Sequence, residues 1–180
     1  MKSADATVGL TPLHEAQRIV LDSAAPLGLE KVSILDALGR VLGEDIIATR
    51  SNPPWDNSAM DGFAVRAEDI AQEHAIAKPV TLAVIEDVPA GKMPTKSVGK
   101  GQAIRIMTGA PIPAGADTVI KVEDTEHTPD SVRVFKSEPR GSNIRPQGED
   151  VQKGDCIIPK GTQIRSGEAG MLAILAKSFV

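Results

Sequence analysis

The spacing of apolar positions changes along the chain, and the changes divide it into parts. In "LHEAQRIVLDSA", residues 13–24, Leu13, Ala16, Val20, Leu21 and Ala24 share one face of a helix, with Glu15, Arg18 and Asp22 elsewhere. Thr11 reads as its N-cap with Pro12 at the first helical position, and Pro26 and Gly28 end it. A second, short helix is predicted at "SILDALGR", residues 33–40, capped by Ser33 and stopped by Gly39. "RVLGEDIIAT" then reads as extended. In the loop "RSNPPWDNSAMDG" two prolines force extended backbone, while Asp56, Asn57 and Ser58 favour local side-chain turns.

From Gly62 to about Lys136 the pattern becomes β. The runs "GFAVRAEDI", "VTLAVIEDV", "QAIRIM", "DTVIKVED" and "SVRVFK" each predict a strand, and Thr128-Pro129-Asp130 between the last two predicts a hairpin. Strands this short and this closely spaced indicate a small barrel or sandwich. "CIIPKGTQI" reads as two short strands around Pro159-Lys160-Gly161. "SGEAGMLAILA" reads as a helix capped by Ser166, with Glu168 in the first turn, where the helix dipole favours an anion. Residues 1–10 are small and polar and are expected to be disordered. The ending "KSFV" is apolar, and the first helix has an apolar face without an obvious partner. Both lead to the expectation that the chain is part of a longer protein.

Composition narrows the function. The 20 Lys+Arg and 24 Asp+Glu give a net charge of −4, against the basic excess of most nucleic-acid binders. Aromatic residues make up 2% of the chain, too few for a base-stacking platform. A single cysteine, Cys156, excludes an intrachain disulfide and a cysteine metal cluster; a buried or half-buried structural thiol is expected there. No secretory signal or apolar run of about 18 residues is visible, so a cytoplasmic protein that does not enter membranes is expected.

Three loops hold residues that could carry chemistry. "PPWDNSAMDGFAVR", residues 53–66, places Asp56, Asn57, Ser58 and Asp61 beside a glycine. Such carboxylates can bind a divalent cation or take a proton, yet the same residue types also make an ordinary turn. The pattern is not an EF-hand loop, because Met60 and Asp61 stand where a ligand and a glycine are needed. In "IRIMTGAPIPAGADTVIKVED", residues 104–124, backbone N–H groups and the Thr108 hydroxyl could hold an anion, or the segment could be a rigid Pro-Gly turn. In "GSNIRPQGEDVQKGD", residues 141–155, Asp150 could meet a metal and Arg145 a phosphate, or the mixed charges could be a solvated surface. His14, His74 and His127 show no ligand spacing, and neither a P-loop nor a dinucleotide fingerprint is present.

"DNSAMDGFAVR", "IRIMTGAPIPAGADTVI" followed by "ED", and "GSNIRPQGEDV" occur in the order seen in the MoeA family of molybdopterin molybdenumtransferases, to which gephyrin's E-domain is related. The flanks "ILDALGRVLGEDI" and "GTQIRSGEAGMLAILA" resemble that family too, so the resemblance covers about residues 11–180. Trp55 and Phe63 stand where Phe and Tyr are more usual. The resemblance implies an α+β, β-rich fold. After a disordered start and first helix over 1–26, residues 27–50 and 151–180 would form an elongated dimerisation domain, and residues 51–150 an inserted, small, barrel-like β-domain. It implies insertion of molybdate into the dithiolene of adenylylated molybdopterin with release of AMP, assisted by Mg²⁺, in a homodimer with its active site between chains. Carried over residue by residue, it makes Asp61, Thr108 and Asp150 catalytic, Asp61 and Asp150 the metal ligands, and Asn57, Ser58 and Arg145 substrate-binding. The molybdopterin-binding α/β domain lies outside the resemblance, so the isolated chain is expected to be inactive. The alternative is a non-catalytic dimerisation or scaffold module.

Overall fold

A computed structural model describes residues 10–25, 27–71 and 79–180. The central element is one mixed six-stranded sheet. Its strands are β3 (Gly62–Val65), β4 (Val80–Val88), β5 (Gln102–Ile106), β6 (Thr118–Lys121), β7 (Thr125–His127) and β8 (Ser131–Val134), in the order β6-β3-β5-β4-β8-β7. Only β4 and β5 run parallel. β6 and β7 are opposite edges of this sheet, yet Val122–Asp124 alone separates them in sequence. Five strand spacings would hold flat edges about 24 Å apart. The chain from Lys121 to Thr125 can reach no more than about 14 Å. The sheet must therefore curl until its edges approach, and the Phe63 ring of β3 does lie 5.3 Å from the His127 ring of β7. This is the barrel-like fold that the strand spacing predicts.

Curling buries both faces of the central strands. Phe63, Val65, Leu82, Ala103, Ile120, Val132 and Val134 pack into one core, and Ala64, Val88, Ile104, Ile106 and Val119 into another on the opposite face. The alternation along β3, β5 and β6 divides the residues between the two, as the period-2 geometry of a strand requires. Gly62 lets β3 and β6 approach so closely that a Cβ there would strike the Ile120 carbonyl oxygen.

A third core draws on distant parts of the chain. Ala37, Leu42, Ile46 and Ala48 pack with Val151, Ile158, Ile164, Leu172 and Leu175. β1 (Ile46–Ile47) pairs antiparallel with β10 (Cys156–Ile158), and Val41 bridges Gln163. The chain leaves this core at about residue 50 and returns at about residue 151, so the curled sheet stands as an excursion between the two halves.

Several sequence expectations need correction. "SILDALGR" forms turns, not a helix: Ser33 bridges Phe179, and Ile34 N–H donates to the Ser178 carbonyl. A run this short cannot outweigh the cost of helix nucleation once its amides find sheet-like partners. "GFAVRAEDI" is a strand only to Val65. It then becomes α2 (Ala67–Ile70), because the Asp117 carboxylate accepts the Ala67 N–H at 2.7 Å. The hairpin at Thr128–Asp130 is present, but it joins β8 to β7 instead of to "DTVIKVED", which ends in a 3-10 turn. α1 (Leu13–Ser23) starts one residue late, with Pro12 in the cap position and no side-chain cap. In α3 (Ser166–Ile174) Ser166 is the first helical residue; the Glu168 carboxylate accepts the Arg165 N–H, as its first-turn position suggested. Cys156 is exposed and not a buried thiol, since it stands at the outer start of β10. His74, Pro26 and the start of the chain lie outside the described residues.

Candidate functional site

The three motif loops meet through short pairings. β2 (Asn57–Ser58) pairs antiparallel with β9 (Ile144–Arg145), which ties the first loop to the third. Asn57 also bridges Pro111, Ser58 N–H donates to the Ala110 carbonyl, and Gly109 N–H donates back to the Ser58 carbonyl, so the second loop joins the same junction. The turn Met107–Ala110 needs a left-handed residue, and Gly109 supplies it at φ 83°.

Asp61 immediately precedes β3, and Thr108 lies two residues beyond β5. Because the strands are antiparallel and Gly62 pairs with Ile106, the two arrive opposite one another. Thr108 donates both its backbone N–H, at 2.7 Å, and its hydroxyl, at 2.8 Å, to Oδ1 of Asp61. These bonds hold the Asp61 carboxyl below the usual aspartate range, the backbone bond foremost; Arg105 adds a smaller pull, and partial desolvation opposes both. Both residues are exposed. Asp61 Oδ2 receives no hydrogen bond among the described residues.

Arg145 stands at the other end of the junction. Its Nε donates to Glu149 at 2.8 Å, and its Nη2 donates to Asp150 at 3.0 and 3.3 Å. These carboxylates, Glu149 first, raise the guanidinium's already high pKa further. Asn52 Nδ2 adds a 3.3 Å bond to Asp150. The structure thus joins Asp61 to Thr108, and Asp150 to Arg145, but no hydrogen bond links the two pairs among the described residues. Ser58 lies inside the first loop. It is buried, and its hydroxyl donates to the Met60 carbonyl at 2.5 Å. Asn57 is half-buried, and its side-chain oxygen has no partner among the described residues.

Sequence reasoning missed Gln147, whose N–H donates to Asp56 Oδ1 at 2.7 Å, and whose side chain donates to the Pro54 carbonyl at 2.6 Å. It also missed Asn143, at φ 58°, whose amide donates to the Val119 carbonyl and fixes the third loop against β6. Nothing in residue type marks either one, since amides in loops read as turn formers.

The donor set suits a hard cation that takes few ligands from protein. Among the described residues no three His, Cys, Asp or Glu side chains gather into a cage. Mg²⁺ commonly uses one or two carboxylates and completes its shell with water and substrate phosphate, a role open to the unpaired oxygen of Asp61. Asp150 already accepts from Arg145 and Asn52, which leaves it fewer open lone pairs than Asp61 has. Among the described residues no helix is long and apolar enough to cross a membrane.

The curled β-domain and the second, discontinuous core match solved molybdopterin biosynthesis proteins. The molybdopterin biosynthesis MoeA protein of Pyrococcus horikoshii OT3 superposes with a TM-score of 0.86 at 40% identity, covering 95% of this chain and 45% of that one. The molybdopterin molybdenumtransferase of Bacillus subtilis (strain 168) is 42% identical over 173 residues, which is 94% of this chain and 40% of the relative. The molybdopterin molybdenumtransferase 2 of Mycobacterium tuberculosis (strain ATCC 25618 / H37Rv) is 40% identical over 163 residues, 91% of this chain and 40% of the relative. Residues 11–176 match the family described as the MoeA N-terminal region (domain I and II), and the chain belongs to that family. It spans less than half the length of these relatives.

Proposed function

We propose that this chain is the N-terminal region of an enzyme that inserts molybdate into the dithiolene of adenylylated molybdopterin and releases AMP. The observation that carries the reading is the double hydrogen bond from Thr108 to Asp61. It keeps an exposed carboxylate ionised, with one oxygen fixed and the other free. Asp61 is the residue that would hold Mg²⁺, with Asp150 second. A bound Mg²⁺ would supply positive charge between these carboxylates and the anionic phosphate and molybdate groups, which carboxylates alone would repel. Thr108 orients Asp61, and Arg145 holds Asp150 and Glu149 at the far side of the junction with part of its guanidinium left for an oxyanion. Asn57 stands between the two pairs. Residues 27–50 with 151–180 form a dimerisation domain in this reading, and residues 51–150 face the substrate held by a partner chain in a cytoplasmic homodimer. The chain alone does not catalyse insertion.

The test replaces the matching N-terminal region of the Bacillus subtilis relative with this chain and measures molybdenum insertion in vitro. The chimera should be active, and Asp61→Asn should lower its rate by on the order of 100-fold or more. A chimera that dimerises but neither inserts molybdenum nor responds to Asp61→Asn would point to the scaffold role.

A further inference from the structure

Arg105 is the penultimate residue of β5, close to the Asp61–Thr108 pair, and the function proposed above gives it no task. It lies directly opposite Phe63 in the β3–β5 pairing, which makes Asp61 its diagonal neighbour. Diagonal neighbours are within reach of a long side chain, and the charge of the guanidinium does act on the Asp61 carboxyl. We propose that Arg105 is an anion-binding residue of the Asp61 site, that its ligand is a tetrahedral oxyanion (the adenylyl phosphate or molybdate), and that Asp87 positions it. The proposal rests on the function proposed above and adds to it a cation facing the metal carboxylate.

The strand geometry aims Arg105. β4 carries an irregularity between Val84 and Glu86, and its extra residue brings Asp87, and not Glu86, into register with Arg105. Glu86 turns to the loop after β4, where it accepts the Thr95 hydroxyl at 2.8 Å and the Lys96 N–H at 2.9 Å. Asp87 accepts from Nη1 of Arg105 at 3.3 Å, the one hydrogen bond of that guanidinium among the described residues. One long bond orients the group and leaves most of its five donors open. The side chains of Arg105 and Asp87 are 40% and 55% exposed, and ion pairs that open to water contribute little to stability. A guanidinium held but not used up suits the paired oxygens of a phosphate or molybdate. The cavity that Arg105 shares with Glu86, Asp87, His127 and Asp130 carries too many carboxylates to take an anion by itself. Between Arg105 and a cation on Asp61, an oxyanion has two positive neighbours.

The test assays the chimera with molybdate and adenylylated molybdopterin varied in turn. Arg105→Met should raise the KM for the substrate that supplies the oxyanion by about 10- to 100-fold and leave the other KM near its starting value, which identifies the source. Arg105→Lys keeps the charge without the fork and should recover part of the loss. Asp87→Asn should raise the same KM far less. A merely structural ion pair predicts that breaking it from either end has the same effect, on melting temperature and on neither KM. An unmoved KM, equal rises for both substrates, or equal effects of Arg105→Met and Asp87→Asn overturns the proposal. A second arm needs no catalysis and no loss of fold. In the intact chain with Mg²⁺ present, the Arg105 Nε–H resonance, identified by its absence from Arg105→Lys, is followed while sodium molybdate or, separately, sodium phosphate is added. A saturable shift with at least one of them is expected, and a response no larger than that to sodium chloride overturns the proposal. A saturable shift in a chain whose chimera is inactive would keep the anion site and remove the enzymatic reading. An active, Asp61-dependent chimera with an inert Arg105 would do the reverse.

Discussion

Thr108 gives both its backbone N–H and its hydroxyl to one oxygen of Asp61, and so joins the end of β5 to the start of β3. Thr108→Val removes the hydroxyl and keeps the backbone bond. Since the backbone bond is the larger cause of the lowered Asp61 pKa, the variant's value should rise only part of the way to the usual range. Carboxyl carbon chemical shifts followed against pH measure it, and an unmoved midpoint would contradict the assignment. A carboxyl depressed in the folded state contributes stability above its unfolded pKa and loses it as pH falls through the folded value. The destabilisation caused by Thr108→Val should therefore be present at neutral pH and shrink below about pH 4.

Gly62 and Gly109 should respond differently to alanine. At Gly62 the added Cβ would run into the Ile120 carbonyl of the paired strand, which cannot withdraw without breaking β3 from β6. Gly62→Ala is expected to cost more than about 3 kcal/mol, or to prevent folding. At Gly109 there is open space but a φ of 83°, so the cost is conformational and should be about 1–2 kcal/mol. Urea denaturation compares the two, and equal costs would show that the β3–β6 contact is looser than described.

Arg145 forms ion pairs with Glu149 and Asp150, but all three residues are exposed. Exposed pairs contribute little, so Arg145→Ala should change stability by about 1 kcal/mol or less. The β2–β9 pairing is made by backbone and should survive. Molybdenum insertion by the chimera should fall well beyond what that stability change explains. A loss of several kcal/mol with activity intact would make Arg145 purely structural.

α1 is helical yet buries none of its residues, despite Leu13, Ile19, Val20 and Leu21. A helix of 11 residues without tertiary contacts is marginal in water. Amides 13–23 should exchange far faster than those of β3 or β5, and a chain starting at residue 27 should melt within about 2 °C of the full chain. Strong protection of these amides in dilute solution would show that a partner surface exists within the chain.

Much of this protein is determined by local pattern. The apolar-rich runs "VTLAVIEDV" and "QAIRI" define β4 and β5, and the helical spacing in "LHEAQRIVLDS" defines α1, because both signals act over a few residues. By residue type alone, the loops with Asp61, Thr108, Asp150 and Arg145 read as readily as turns or solvated surface, and only the resemblance to the MoeA family singles these residues out. The tertiary structure decided the rest, wherever the deciding partner is far away in sequence. Phe179 and Ser178 turn "SILDALGR" from helix to turns, and Asp117 ends β3 by capping α2. The same holds at the site. Asp61 and Thr108 are 47 residues apart, and only the β3–β5 register brings them into contact. Ser58 reads as a loop hydroxyl in the sequence, and only the tertiary structure buries it and joins it to the Met60 carbonyl. Local propensity is a property of short segments, whereas a hydrogen bond between distant residues exists only once the sheet has curled and its register is set.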